Sequence, residues 1–225
     1  MLNLLCSARA ANVDLRNFVV FSGQQEYCNV IETMGVKAFY HPSLGDLPKE
    51  AAGNYADRVF TKMMWLKVTS VYLTLATGFH VLFQDVDLVW VKDPVTFLEN
   101  QDKYDIIFMD DGARTPRFAP YFTNTGFYFV RQTAVTIQLF HRLVLAVGEI
   151  EYTASHQATL IRRITEAQGA FGLQILILDD RQFPSGRMYH EQHKYVQDVK
   201  DHVVVPYVWH MCWTANRSQK VPYLS

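Results

Sequence analysis

An α/β fold with a largely parallel sheet and helices on its faces is what this sequence predicts. Three observations carry it. Helical and strand-like stretches alternate along the first half of the chain. The runs HVLFQ (80–84) and LQILIL (173–178) are apolar at successive positions, as strands covered on both faces are. A long helical pattern with Asp57 as its cap and Gly78 as its stop feeds directly into the first of those runs.

Taken in order, LNLLCSARAA (2–11) reads as a helix and NFVVF (17–21) as a strand. Residues 24–34 form a second helix and VKAFY (36–40) a second strand, before a Pro/Gly-punctuated loop that runs to Gly53. The long helix covers 57–77 and HVLFQ follows. Beyond it, DIIFM (105–109) and GFYFVR (126–131) read as strands around the loop DDGARTPRFAPYFTNT. TAVTIQLFHRLVLAV (133–147) and SHQATLIRRITEA (155–167) are helical patterns, LQILIL is a buried strand, and VVVPYVWHMCW (203–213) is extended. Neither an internal repeat nor a low-complexity linker divides the chain, so residues 1–225 are expected to be one domain.

Composition narrows the function classes. Half of the 225 residues are hydrophobic (49%) and 14% are aromatic, which excludes a disordered chain. The formal net charge of −1 gives no bulk attraction to nucleic acid or an anionic membrane, and no run reaches the length of a membrane span. Cys6, Cys28 and Cys212 have neither disulfide-framework nor zinc-type spacing.

The chemistry centres on HVLFQDVDLVW (80–90). Asp85 and Asp87 follow a buried strand at its carboxyl end, where open α/β sheets bind ligands. In extended chain they point the same way, and at close range their repulsion is on the order of several kcal/mol in a poorly solvated site. A divalent cation would relieve it, and hard oxygen ligands at this spacing suit Mg²⁺ or Mn²⁺ with open positions for substrate phosphates. Two solvated loop aspartates are the plain alternative.

On the preceding helix, Phe60, Met63, Met64, Val68, Val71 and Leu75 form one apolar stripe. Lys67 falls inside it, so its ammonium either snorkels to solvent or meets an anion. Near the other end, WHMCWTANRSQK (209–220) offers His210 as a nitrogen ligand or a core-edge histidine, and Lys220 as a phosphate contact or a surface lysine. Asn216-Arg217-Ser218 matches the N-glycosylation pattern, a match common by chance.

The blocks FTKMMWLKVTSVYLTLATGFHVLFQDVDLVWVKDP, NTGFYFVR, SHQATL, FPSG and WHMCWTANRSQK, in this order, resemble the nucleotide-diphospho-sugar transferase family, which includes plant and algal xylosyl-, arabinosyl- and galactosyltransferases. The resemblance implies a GT-A fold (a Rossmann-like, mostly parallel sheet flanked by helices), a UDP-sugar donor, Mn²⁺ or Mg²⁺, retention of anomeric configuration and a glycan or glycoprotein acceptor. It makes Asp85 and Asp87 the D-x-D motif, with Asp87 the direct metal ligand and Asp85 on the metal or the donor. It makes His210 the last protein ligand, Lys67 a donor contact and Lys220 a diphosphate contact. Asp111, Asn124 and Gln157 match polar positions on the sugar and acceptor side.

Golgi residence is implied as well, with an anchor expected in a longer form. Two departures accompany the match. The family's Asp-Gln pair is His156-Gln157 here, and no counterpart of its opening strand precedes Leu2. The chain is therefore expected to lack a first strand and to extend upstream. Two rival readings share the same residues. One is a haloacid dehalogenase-type phosphohydrolase using Asp85 and Asp87 with Asp179 and Asp180; the other is a non-catalytic sugar-nucleotide or glycan-binding module.

Overall fold

The computed structural model describes residues 1–44, 47, 52, 57–214 and 220. Most of the loop running to Gly53, and Asn216 to Ser218 entirely, lie outside the described residues.

The first half follows the expected alternation. Helix α1 (Leu2–Ala10) leads through a short turn to β1 (Val19–Phe21), then α2 (Gln25–Thr33) and β2 (Lys37–Phe39). Helix α3 (Arg58–Ala76) starts where the Asp57 side chain accepts from the Phe60 amide at 2.8 Å. Strand β3 (Val81–Gln84) comes next, followed by β4 (Leu88–Trp90) and the short α4 (Val95–Glu99).

In the second half, β5 (Ile106–Asp110) and β6 (Thr123–Val130) precede α5 (Ala134–Leu145), which Thr133 opens with a reciprocal cap on Thr136. After α6 (Val147–Thr153) comes α7 (His156–Phe171), capped by Ser155. Strand β7 (Ile175–Ile177), helices α8 (Gly186–Glu191) and α9 (His193–Lys200), and strand β8 (Val208–His210) complete the order.

The α/β class stands, but the sheet is mixed rather than mostly parallel. The order β3-β6-β5-β7 puts β6 antiparallel to both β3 and β5, and only β7 runs parallel to β5. The cause is local. Residues 111–122 join β5 to β6 without a crossover helix, and such a connection delivers an antiparallel neighbour. Strands β1 and β2 form a separate parallel pair, while β4 and β8 pair antiparallel. Among the described strands β3 pairs with β6 alone.

Alternation along β5 and β6 builds the two halves of the core. Ile106, Phe108, Tyr128 and Val130 face α3, α5 and α7, packing on Val68, Leu75, Phe140 and Leu160. Ile107, Met109, Phe127 and Phe129 point the other way, onto α1, β4 and Val208. A sheet buried on both faces accounts for the continuous apolar runs in its strands. It leaves the polar ends of β3, β5 and β6 as the place where charged groups collect.

Candidate active site

Asp85 and Asp87 leave the end of β3 on a short bend, with Val86 between them 54% exposed. His210 arrives from the far end of the chain, placed by the β4–β8 ladder. Leu88 pairs with His210, and the Met211 amide donates to the Asp87 carbonyl at 3.0 Å. One ligand atom from each of Asp85, Asp87 and His210 lies within 4.8 Å of the others. His210 Nε2 is 3.3 Å from Asp87 Oδ1 and 4.0 Å from Asp85 Oδ2. Two hard carboxylates and one imidazole are a donor set that fits a divalent cation of the Mg²⁺ or Mn²⁺ kind.

Both lysines flank this cluster. The Lys67 ammonium is 2.6 Å from Asp85 Oδ1, so this residue of the apolar stripe meets an anion instead of snorkelling to solvent. Lys220 pairs with Asp87. Burial alone would raise the Asp87 pKa, but His210 and Lys220 outweigh it and hold the carboxyl well below its ordinary value. Burial likewise disfavours charge on His210, yet Cys212 and Asp87 prevail and raise its pKa well above 6.5. Burial lowers the pKa of the Met1 amino group, and the Asp87 charge opposes that shift.

Gly126 in β6 makes this convergence possible. A Cβ at this position would stand 2.7 Å from His210 Nε2 and 2.9 Å from Asp85 Oδ2. No larger residue fits without moving a member of the cluster.

Next to the cluster is a buried polar network. Asp111 Oδ1 accepts from Asn124 Nδ2 at 3.0 Å and from Gln157 Nε2 at 3.2 Å. Gln157 Oε1 accepts in turn from the Thr125 hydroxyl at 3.0 Å. Burial raises the Asp111 pKa against these hydrogen bonds. The structure thus brings the sequence-predicted residues into two adjoining groups, the charged one on β3 and β8 and the amide-rich one on β5, β6 and α7. Asp179 and Asp180 do not join them. The Asp179 side chain accepts from the Arg181 amide, and Asp180 lies 3.9 Å from Arg187.

His156, where the resemblance led to an aspartate, is 4% exposed, and neither ring nitrogen has a hydrogen-bond partner. Burial first, and then the Lys67 charge, drives its pKa well below 6.5. The unfolded imidazole titrates near 6.5, so below about that pH the unfolded chain binds a proton the native one refuses. Native stability therefore falls as pH drops, with a slope of up to about 1.4 kcal/mol per pH unit. A His156→Asn variant should lack this slope. Urea melts in metal-free buffer should show the stability advantage of the unmutated chain shrinking between about pH 7 and pH 5. A gap independent of pH would show that the imidazole protonates freely in the fold.

Sequence reasoning also passed over Thr125, Gly126, Cys212 and Trp213. The signal for Gly126 was a glycine amid the apolar run of a strand, which marks a close approach. Asn124 Nδ2 lies 3.8 Å from Cys212 Sγ, and the Trp213 indole nitrogen donates to the Asp111 carbonyl at 2.9 Å.

A mixed sheet flanked by helices is an α/β architecture also found in solved glycosyltransferases. Solved structures with that fold superpose on it. The galactosyltransferase LgtC, in complex with donor and acceptor sugar analogs, gives a TM-score of 0.55 at 14% identity, over 96% of this chain and 83% of that one. Mouse xyloside xylosyltransferase 1 in its apo form gives 0.52 at 12% identity, over 96% and 94%.

The chain belongs to the nucleotide-diphospho-sugar transferase family, whose profile matches residues 14–224. Among curated relatives, the beta-arabinofuranosyltransferase RAY1 of Arabidopsis thaliana is 26% identical over 64% of this chain and 27% of its own length. UDP-D-xylose:L-fucose alpha-1,3-D-xylosyltransferase 3 of the same plant is 23% identical over 71% of this chain and 45% of its own. The chain thus spans less than half the length of these curated relatives.

Proposed function

We propose that this chain transfers a sugar from a UDP-sugar donor to a hydroxyl of a glycan or glycoprotein, with retention and with a divalent cation, Mn²⁺ or Mg²⁺. The observation that carries the reading is the convergence of Asp85, Asp87 and His210 at one strand end, with Lys67 and Lys220 beside them. Asp85, Asp87 and His210 would hold the cation, which supplies positive charge to the diphosphate and so eases its departure.

The remaining work falls to the chain's own groups. The Lys67 and Lys220 ammoniums are placed to accept negative charge that grows on the leaving UDP, electrostatic stabilisation in a partly buried site. Gln157, tied at both ends to Thr125 and Asp111, presents a fixed amide edge next to the reacting region. The acceptor oxygen bonds to the anomeric carbon on the face that UDP leaves. The carbon–oxygen bond to UDP breaks with its electron pair on the phosphate oxygen, which also receives the acceptor proton. The Golgi lumen is the compartment proposed with this activity. No helix among the described residues is long and apolar enough to cross a membrane.

A panel of UDP-sugars tests the reading without any acceptor. Metal-dependent hydrolysis of at least one donor is expected, abolished by EDTA and restored by Mn²⁺ or Mg²⁺. A chain that neither binds UDP with these cations nor hydrolyses any of the panel would refute it.

A further inference from the structure

Two aromatic residues, Phe122 at the end of the loop after β5 and Trp213 beyond β8, share an unusual conformation. Phe122 (φ 51°) and Trp213 (φ 61°) both occupy the left-handed region, which bulky side chains rarely adopt. Both are tied to the main chain of one residue. The Asp111 amide donates to the Phe122 carbonyl at 2.8 Å, and the Trp213 indole nitrogen donates to the Asp111 carbonyl at 2.9 Å. Arg114 lies over the Phe122 ring at 5.0 Å and is held by two hydrogen bonds to Asp110.

Trp213 keeps 43% of its surface exposed despite this fixation. A single exposed apolar side chain is ordinary on a protein surface. A half-exposed indole whose N–H is committed and whose backbone is strained is not, because strain of this kind persists where the surroundings impose it and collects at ligand sites. The indole edge meets Asp111 through its N–H, and the Asp111 carboxylate anchors the Asn124–Gln157 network. An apolar plate beside convergent polar groups is the chemistry that recognises a sugar ring, with C–H bonds on its face and hydroxyls on its edge.

We propose that Trp213 is the platform of an acceptor subsite, on which the ring face of a neutral sugar stacks so that one hydroxyl reaches the Asp111–Gln157 network. This rests on the transferase reading above. The donor diphosphate is assigned to the lysine-flanked cluster, so the plate beside Asp111 is assigned to the other substrate. Its strained, tethered indole costs little further ordering when a sugar binds.

Two variants of the full chain test it. Trp213→Gly removes the plate and relaxes the left-handed backbone, and melting curves separate lost packing from lost acceptor binding. Trp213→Phe retains an aromatic face without the N–H. The donor is whichever UDP-sugar the unmutated chain hydrolyses, and the acceptors are methyl glycosides of L-fucose, L-arabinose and D-galactose. The glycine variant is expected to raise acceptor KM by about tenfold or more, the phenylalanine variant by less than about threefold. Calorimetric UDP affinity with Mn²⁺ should stay within about twofold in both.

An acceptor KM indifferent to Trp213→Gly overturns the proposal, as does transfer to none of these glycosides. A parallel loss of UDP affinity would assign the plate to the donor instead. A phenylalanine variant as poor as the glycine one would show that the indole N–H acts by positioning Asp111. Absence of UDP binding by the unmutated chain sinks the donor reading itself, an outcome distinct from all of these.

Discussion

Asp87→Ala is expected to weaken metal-dependent UDP binding by at least about a hundredfold, close to 2.7 kcal/mol. Asp87 is the carboxylate that both His210 and Lys220 face, and its side chain is only 13% exposed. Its removal takes a hard ligand from the proposed cation site and leaves an ammonium and an imidazole without their anion. Asp85→Asn should be milder, about tenfold, because the amide retains an oxygen and the shape while Lys67 loses its charged partner. Calorimetric titration with UDP and Mn²⁺ reads both. Melting curves in metal-free buffer separate them from unfolding. Undiminished affinity in Asp87→Ala would remove the cation from the reading and return the pair to a structural role.

A comparable loss is expected from a residue with no functional group at all. Gly126→Ala drives a methyl group against His210 and Asp85 from within a fully buried strand. Overpacking of this kind costs about 1–3 kcal/mol. In a chain of this size that lowers the melting temperature by roughly 5 °C, and the displaced imidazole should lower UDP affinity with Mn²⁺ at least about tenfold. Unchanged melting and unchanged affinity together would mean that β6 or the His210 ring moves aside at no cost. Circular dichroism should meanwhile show the same helix and strand content, since the strand's hydrogen bonds are untouched.

How far the sequence foretold this depends on whether the determining interactions were local. Helix α3 was legible from end to end because its cap and its apolar stripe lie within the segment itself. The alternation of apolar faces on β5 and β6 was legible for the same reason. Strand β4 was not, because three residues directly after an acidic pair carry no period of their own, and their partner is residues 208–210. The antiparallel placement of β6 was missed too. The rule that buried apolar runs belong to parallel sheets describes covered faces, not strand direction, and β6 is covered on both.

Helices α8 and α9 went unseen, in a polar stretch to which no element was assigned. The candidate site was legible by residue type at Asp85, Asp87 and Lys67, which neighbour one another through a single helix–strand step. His210 and Lys220 could be set beside them only through the family resemblance, because no spacing rule links residues so far apart. His156 shows the converse. The substitution was visible in the sequence, but its burial without a partner was not.

One consequence of the β4–β8 pairing concerns the order in which a ribosome delivers the molecule. All four strands of the central sheet, and helices α3, α5, α6 and α7 on one of its faces, have been synthesised by Ile177. His210 and Lys220 come later. A growing chain therefore owns the half of its hydrophobic interior that faces α3, while Phe183 and Val208 of the other half and the imidazole of the aspartate pair are still to come. The second half closes only when β8 pairs with β4, and the same strand brings His210, so completing the core and completing the charged cluster are one event.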